Sequence, residues 1–322
     1  MNLICLAALT SALAYGEGGD VVNPSGGLAV SGGMLFATTG FSPMPKSGEK
    51  ECALIAYSLA DPENPREVGR LALEGAPFPQ SVAIIGGEAF VADGLNLWRV
   101  EVKNPAEMCV REKLVLSDRG ETGPRAVVAS TDERLLHVAC GRSGVRTVAV
   151  TDKLKVLATV ATDFSRDVAT VGEAVVSAEE FSGLKLICGG RVVSSLVLPR
   201  EGAVSVRAQG SRVFVATGGR RMSVVDVKGD RLEIVGESGA PEQACFGTYS
   251  QVALPIDEKV YVLDGESGVF TFDVGKAGAP QLVRSSGMLR CGTLKNAVMC
   301  GRVLYVLGTD IDGPAQILPV TP

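Results

Sequence analysis

Short apolar runs separated by glycine pairs dominate the chain, and Ser81 to Val102, SVAIIGGEAFVADGLNLWRVEV, carries the pattern most fully. It reads as an apolar strand, a Gly86-Gly87 turn, a second apolar strand, an Asp93-Gly94 turn and a third strand. Gly-Gly and Asp-Gly pairs between apolar runs are hairpin signals, because tight turns need backbone conformations that few other residues adopt cheaply. The runs do not alternate apolar with polar. Val82, Ala83, Ile84 and Ile85 follow one another directly, as expected of a strand buried on both faces.

Variants of this stretch recur at a spacing of about 40 residues, within the range of propeller blades. Seven units can be followed, at approximately 26–75, 79–118, 124–163, 166–199, 202–237, 246–286 and 292–322. Each full unit holds four short β segments joined by Gly-Gly, Asp-Gly, Asn-Pro or Lys-Gly turns. Blades stacked side by side supply the burial on both faces. The prevalence of Ala, Val and Gly over aromatics, which make up 5%, suits inner strands that must fit a taper. The expected fold is therefore all-β, a single seven-bladed β-propeller domain over 1–322 with four-stranded antiparallel blades.

The seventh unit stops at Pro322 after its third strand. Leu3 to Leu9 is expected to add the fourth, closing the ring and covering an edge strand that would otherwise invite aggregation. The alternative for residues 1–14 is a cleaved signal peptide ending at Ala12-Leu13-Ala14. Against it, no Lys or Arg precedes Lys46, so the positive n-region is missing. The stretch is also too short to span a bilayer as a helix, so no transmembrane segment is expected.

Composition narrows the function classes. Thirty-one basic and 36 acidic residues give a net charge of −5, which argues against a dedicated nucleic-acid binder. Eight cysteines form no C-x-x-C, and with a single histidine a Cys/His zinc site has almost no ligand supply. No metal site, cofactor or catalytic residue is assigned. His137 lies within LLHVA with no Ser or Cys nucleophile motif nearby, and reads as a buried strand histidine.

The sequence of apolar strand, glycine turn, AFVADG and a strand ending in VEV, VVDV or FDV resembles the LVIVD-repeat family of β-propellers. The best matches are Val82 to Val102, Val204 to Val227 and Val252 to Val274. In the first unit, Asp61-Pro62-Glu63-Asn64-Pro65 followed by Glu67-Val68-Gly69 resembles that family's turn into the outer strand. Units three, four and seven depart from the motif. The resemblance implies seven blades and an extracytoplasmic, bacterial setting. It implies no catalytic residues.

Candidate chemistry comes from where the repeats disagree. Counting back twelve residues from the alanine-like end of each second strand selects one position per blade, near the start of the innermost strand. Ser25, Gln80, Arg166, Gln251 and Lys295 occupy it, with Val204 in the fifth blade and Arg125 after a two-residue insertion. Cations and amides at one mouth of a channel would suit an anionic ligand, since a cleft lined by one sign of charge focuses field. The bland reading has these side chains bonded to backbone carbonyls and acidic loop residues. Asp93, Glu179, Glu180, Asp264, Glu266, Asp310 and Asp312 fall between second and third strands, and Glu101, Asp226 and Asp273 end third strands. A residue repeated in several blades answers a need that every blade shares, so most of these acids read as structural.

The leading function is a non-enzymatic binding or scaffolding propeller, monomeric, recognising an unknown protein or small anionic ligand at the channel-mouth face. The long Gly40 to Cys52 and Gly236 to Tyr249 loops are the expected partner surface. One alternative is a propeller hydrolase or lactonase using Arg125, Arg166 and Lys295 to stabilise an anionic transition state. Another is a purely structural surface repeat protein.

Overall fold

The computed structural model describes residues 26–39, 52–117, 123–198, 202–217, 221–239, 250–264, 268–275, 279–287, 293–309 and 315–320. Within them lie six four-stranded antiparallel sheets and one three-stranded sheet, each a simple meander in chain order. Blade two shows the unit: Ser81–Ile85, Glu88–Ala92, Asn96–Glu101 and Cys109–Val115, from the innermost strand outward. A three-residue 3-10 turn at Pro105–Glu107 leads into the outermost strand. Among the described residues no helix is long and apolar enough to cross a membrane.

The innermost strands are Leu28–Ser31, Ser81–Ile85, Ala126–Ala129, Ser165–Val171, Ala203–Gln209, Ser250–Ile256 and Thr293–Cys300. Each touches the innermost strand of the next blade, and the seventh touches the first. The ring is closed at its centre by that contact. The expected closing strand, Leu3 to Leu9, lies outside the described residues. So does most of the Gly40 to Cys52 loop. The Gly236 to Tyr249 loop is shorter than expected, because the outermost strand of blade five runs on to Gly239.

The core is divided in the same way. Seven apolar clusters are found, one at each interface between neighbouring blades. In blade one, Phe36 packs toward blade two while its neighbours Leu35 and Ala37 pack toward blade seven. In blade two, Val91 joins the cluster shared with blade one, and Phe90 and Ala92 join the one shared with blade three. Strict alternation thus sends successive side chains to two different cores. That is why the strands are apolar without interruption. The seventh cluster joins Leu28 and Leu35 to Tyr305 and Leu307, which closes the ring through packing as well as contact.

At one end of the ring the first and second strands are joined by two-residue turns in six blades and by the longer 130–134 loop in blade three. Gly86 and Gly87 sit at φ of 55° and 82°, the left-handed conformation that both central residues of a type I′ turn require. The other end, where innermost strands begin, is the mouth that the candidate residues occupy.

Candidate channel-mouth site and central cavity

The position chosen by counting is a backbone feature. In blades four to seven the pairing of first and second strands slips by one residue, and the residues skipped are Arg166, Val204, Gln251 and Lys295. In blade two the amide of Gln80 donates to Ala92 O at 2.8 Å, and Ser81 also pairs with Ala92. Arg125 and Ala126 stand against Ala139 in the same way in blade three. Two residues therefore oppose one at the start of six innermost strands. Such a bulge bends the strand and re-aims a side chain, which is why bulges gather at barrel rims and sites.

The side chains at these positions differ in what they meet. Arg166 Nη1 donates to Glu180 Oε1 at 2.8 Å, with both side chains mostly buried. Arg125, in the blade before, lays its guanidinium 5.0 Å from the ring centroid of Phe164, two residues ahead of Arg166. Phe164 in turn meets Phe181 edge-on at 5.6 Å, and Phe181 is 71% exposed. Cation, aromatic pair and ion pair form one rim over blades three and four. Gln80 is partly buried beside Phe78 and Gly94. Gln251 and Lys295 take their places on the backbone ring, while their side chains fall outside the described residues, and Ser25 lies outside them altogether.

The acids at this end are engaged locally. Glu179 is buried and accepts from Phe164 N at 2.7 Å and from Ser177 Oγ at 2.6 Å. Asp93 accepts from the backbone of Leu95 and Asn96, 2.8 Å and 2.5 Å away. Asp163 lies on the blade-four rim, where the hydrogen bond from Ser182 and then the Lys185 ammonium hold its carboxyl below the usual range. At the opposite end of the ring, beside the turns between first and second strands, the third-strand acids are also engaged: Glu101 pairs with Arg111, Asp226 with Arg212, and Asp273 accepts from Gly275 N. Glu266, Asp310 and Asp312 lie outside the described residues. Among the described residues no three His, Cys, Asp or Glu side chains gather as a metal would need.

Beneath the mouth lies a cavity of about 290 Å³, lined from six of the seven innermost strands. It is the central channel. Its polar lining includes Ser81, Asp167, Thr170, Arg207 and Asn296, all of which counting back twelve residues passed over. Ser81, Asp167 and Asn296 each follow a bulge position directly. They tie one blade to the next: Ser81 Oγ accepts from Val127 N at 3.2 Å, and Asp167 Oδ2 accepts from Val206 N at 3.0 Å. Asn296 Nδ2 donates to Gly26 O at 3.2 Å across the closing seam. Reading the column one residue further along would have found all three.

His137 is buried, with Nδ1 3.2 Å from Thr147 Oγ1, and burial pushes its imidazole below the usual value. It stands in a second strand, away from the cavity lining.

The sequence matches no protein-family model and no curated protein. Among solved structures it is similar to the computationally designed Ika8 protein, at a TM-score of 0.62 and 9% identity. That likeness covers 91% of this chain and 82% of the other. At this identity it is a likeness of fold.

Proposed function

We propose that the chain is a non-enzymatic binding or scaffolding propeller that recognises a partner or a small anionic ligand at its channel-mouth face. The observation that supports this reading is the ring of bulges. Six blades share the backbone device, yet it carries two amides, Gln80 and Gln251, three cations, Arg125, Arg166 and Lys295, and the apolar Val204. A shared structural need would repeat the residue, as it repeats acids at Asp93 and Asp264. The rim of Arg125, Phe164 and exposed Phe181 adds the aromatic and arginine contacts in which recognition surfaces are rich.

Membership of the LVIVD-repeat propellers and an extracytoplasmic location belong to the same proposal and rest on the repeat resemblance; a monomeric state is proposed with them. The hydrolase or lactonase alternative is less well supported, since Arg166 would have to leave Glu180 to meet a transition state. Partner capture from the native cell, compared between the full chain and a deletion of residues 43–46, tests the proposal. Loss of capture with unchanged thermal stability is expected, and undiminished capture by the deletion overturns the loop assignment. Lactone or ester hydrolysis that both Arg125→Ala and Arg166→Ala abolish would replace the binding reading with the enzymatic one.

A further inference from the structure

Three residues past the bulge position, the innermost strands carry Ala83, Val128, Ala169, Leu254 and Val298 in five blades, and Arg207 in blade five. This lone cation lies about 10 Å further along the strand than the mouth. It lines the central cavity with its side chain 30% exposed. Its Nη1 donates to Asp167 Oδ2 at 2.5 Å and to Val206 O at 2.8 Å. Among the described residues, no hydrogen bond is made by Nε or Nη2. Those two atoms form the edge of a guanidinium that grips a carboxylate in a two-pronged fashion.

Asp167 fixes that edge in place. Its Oδ1 accepts from Val168 N at 2.9 Å, and its Oδ2 also accepts from Ser205 Oγ at 2.8 Å and Val206 N at 3.0 Å. A carboxylate held by donors from two blades cannot swing away, so it orients the arginine as well as bracing the seam.

We propose that the central cavity binds a small monocarboxylate with an apolar body, its carboxylate held by the Nε–Nη2 edge of Arg207. The inference rests on the binding reading above but puts the ligand below the mouth, on residues that reading does not use. Three features select the ligand class. A single arginine whose charge is countered by one carboxylate, Asp167, leaves no net positive charge, so hydrogen-bond geometry must hold the ligand, which favours a monoanion and disfavours a phosphate dianion. Leu28, Val82, Val127, Val168 and Val206 supply apolar wall, and the Ser81 hydroxyl, which among the described residues only accepts, keeps its proton for a ligand or water. A volume of about 290 Å³ holds on the order of ten waters, room for a carboxylate and a short hydrocarbon body.

The test uses the full chain with hexanoate as the probe, read by calorimetry and thermal shift. Hexanamide and inorganic phosphate serve as controls for charge and shape. Hexanoate should bind and raise the melting temperature, and both controls should do so far less. Arg207→Lys keeps the charge and loses the fork, and should weaken hexanoate by roughly tenfold to a hundredfold. The double variant Asp167→Asn/Arg207→Met removes both charges together; with its β signature intact by circular dichroism, it should not bind hexanoate. Arg134→Ala, on the exposed 130–134 loop at the opposite end of the ring, should leave hexanoate affinity within about twofold. No hexanoate binding by the wild type, or equal binding by both Arg207 variants, overturns the proposal. Loss of binding in Arg166→Ala alone also overturns it and moves the site to the mouth. Deletion of residues 43–46 should leave hexanoate binding intact, so failure of the partner surface and failure of the cavity site are told apart.

Discussion

The indole N–H of Trp98 donates to Asp93 Oδ2 at 2.5 Å, inside a blade whose other buried side chains are almost all apolar. Asp93 also accepts from Leu95 N, Asn96 N and Asn96 Nδ2, so its fully buried carboxylate satisfies four donors at one corner. Removing the acceptor strands all four. Asp93→Ala should therefore lose about 2–4 kcal/mol of stability. Urea denaturation followed by the fluorescence of Trp98, the single tryptophan of the chain, measures it directly. An unshifted midpoint would show that water replaces the carboxylate without loss.

Glycines at seams and glycines at turns should respond differently to alanine. A Cβ on Gly69, in the outermost strand of blade one, would stand 1.7 Å from Pro105 O of blade two. One on Gly172, at φ +59°, would meet nothing within 4 Å. Gly69→Ala must push two blades apart and should cost about 3 kcal/mol. Gly172→Ala meets only local backbone strain, about 1 kcal/mol. Equal melting temperatures for the two variants would contradict the close approach at that seam.

His137 gives a pH dependence with a defined sign. Burial lowers its pKa from 6.5, outweighing the raising effect of Asp132, so the folded state prefers the neutral ring. The unfolded chain then takes up the proton first as pH falls, and stability declines below 6.5 until the folded imidazole also protonates. Relative to His137→Gln, the wild type should lose stability through that window and match it in trend above about pH 8. Parallel stability curves from alkaline to acid pH would sink the assignment.

Cys140 should be inert while the ring is folded. Its thiol is fully buried, and burial pushes it up to about 12. Since the thiolate is the nucleophile, alkylation near neutral pH has almost no reactive form to attack. Peptide mapping after brief iodoacetamide treatment should find Cys109 and Cys188, both partly exposed, modified well before Cys140. Labelling of Cys140 at the same rate as these would mean that the interface between blades two and three opens readily.

Much of this architecture was legible in the residues because each blade is encoded locally. The Gly86-Gly87 turn, the apolar run of Val82 to Ile85 and the turn at Asp93 all lie within one unit, and the unit recurs. The same counting landed on the bulges at Arg166, Gln251 and Lys295, since a bulge displaces the repeat by a fixed amount in each blade. Arg207 escaped it. The bulge position and the position three residues past it are equivalent in sequence, and no period marks which level of a strand faces an open channel.

What the sequence determined, then, is the fold and the level of each strand in it: blade number, turn positions and uninterrupted apolar strands follow from short-range pattern and its repetition. What only the tertiary structure decided is which departures from the repeat meet. Asp167 and Arg207 are one repeat apart along the chain and 2.5 Å apart across a seam, and Asn296 reaches Gly26 from the far end of the ring. Those meetings depend on the register of neighbouring blades and on closure of the circle. Both are fixed by packing between units, which no single unit encodes.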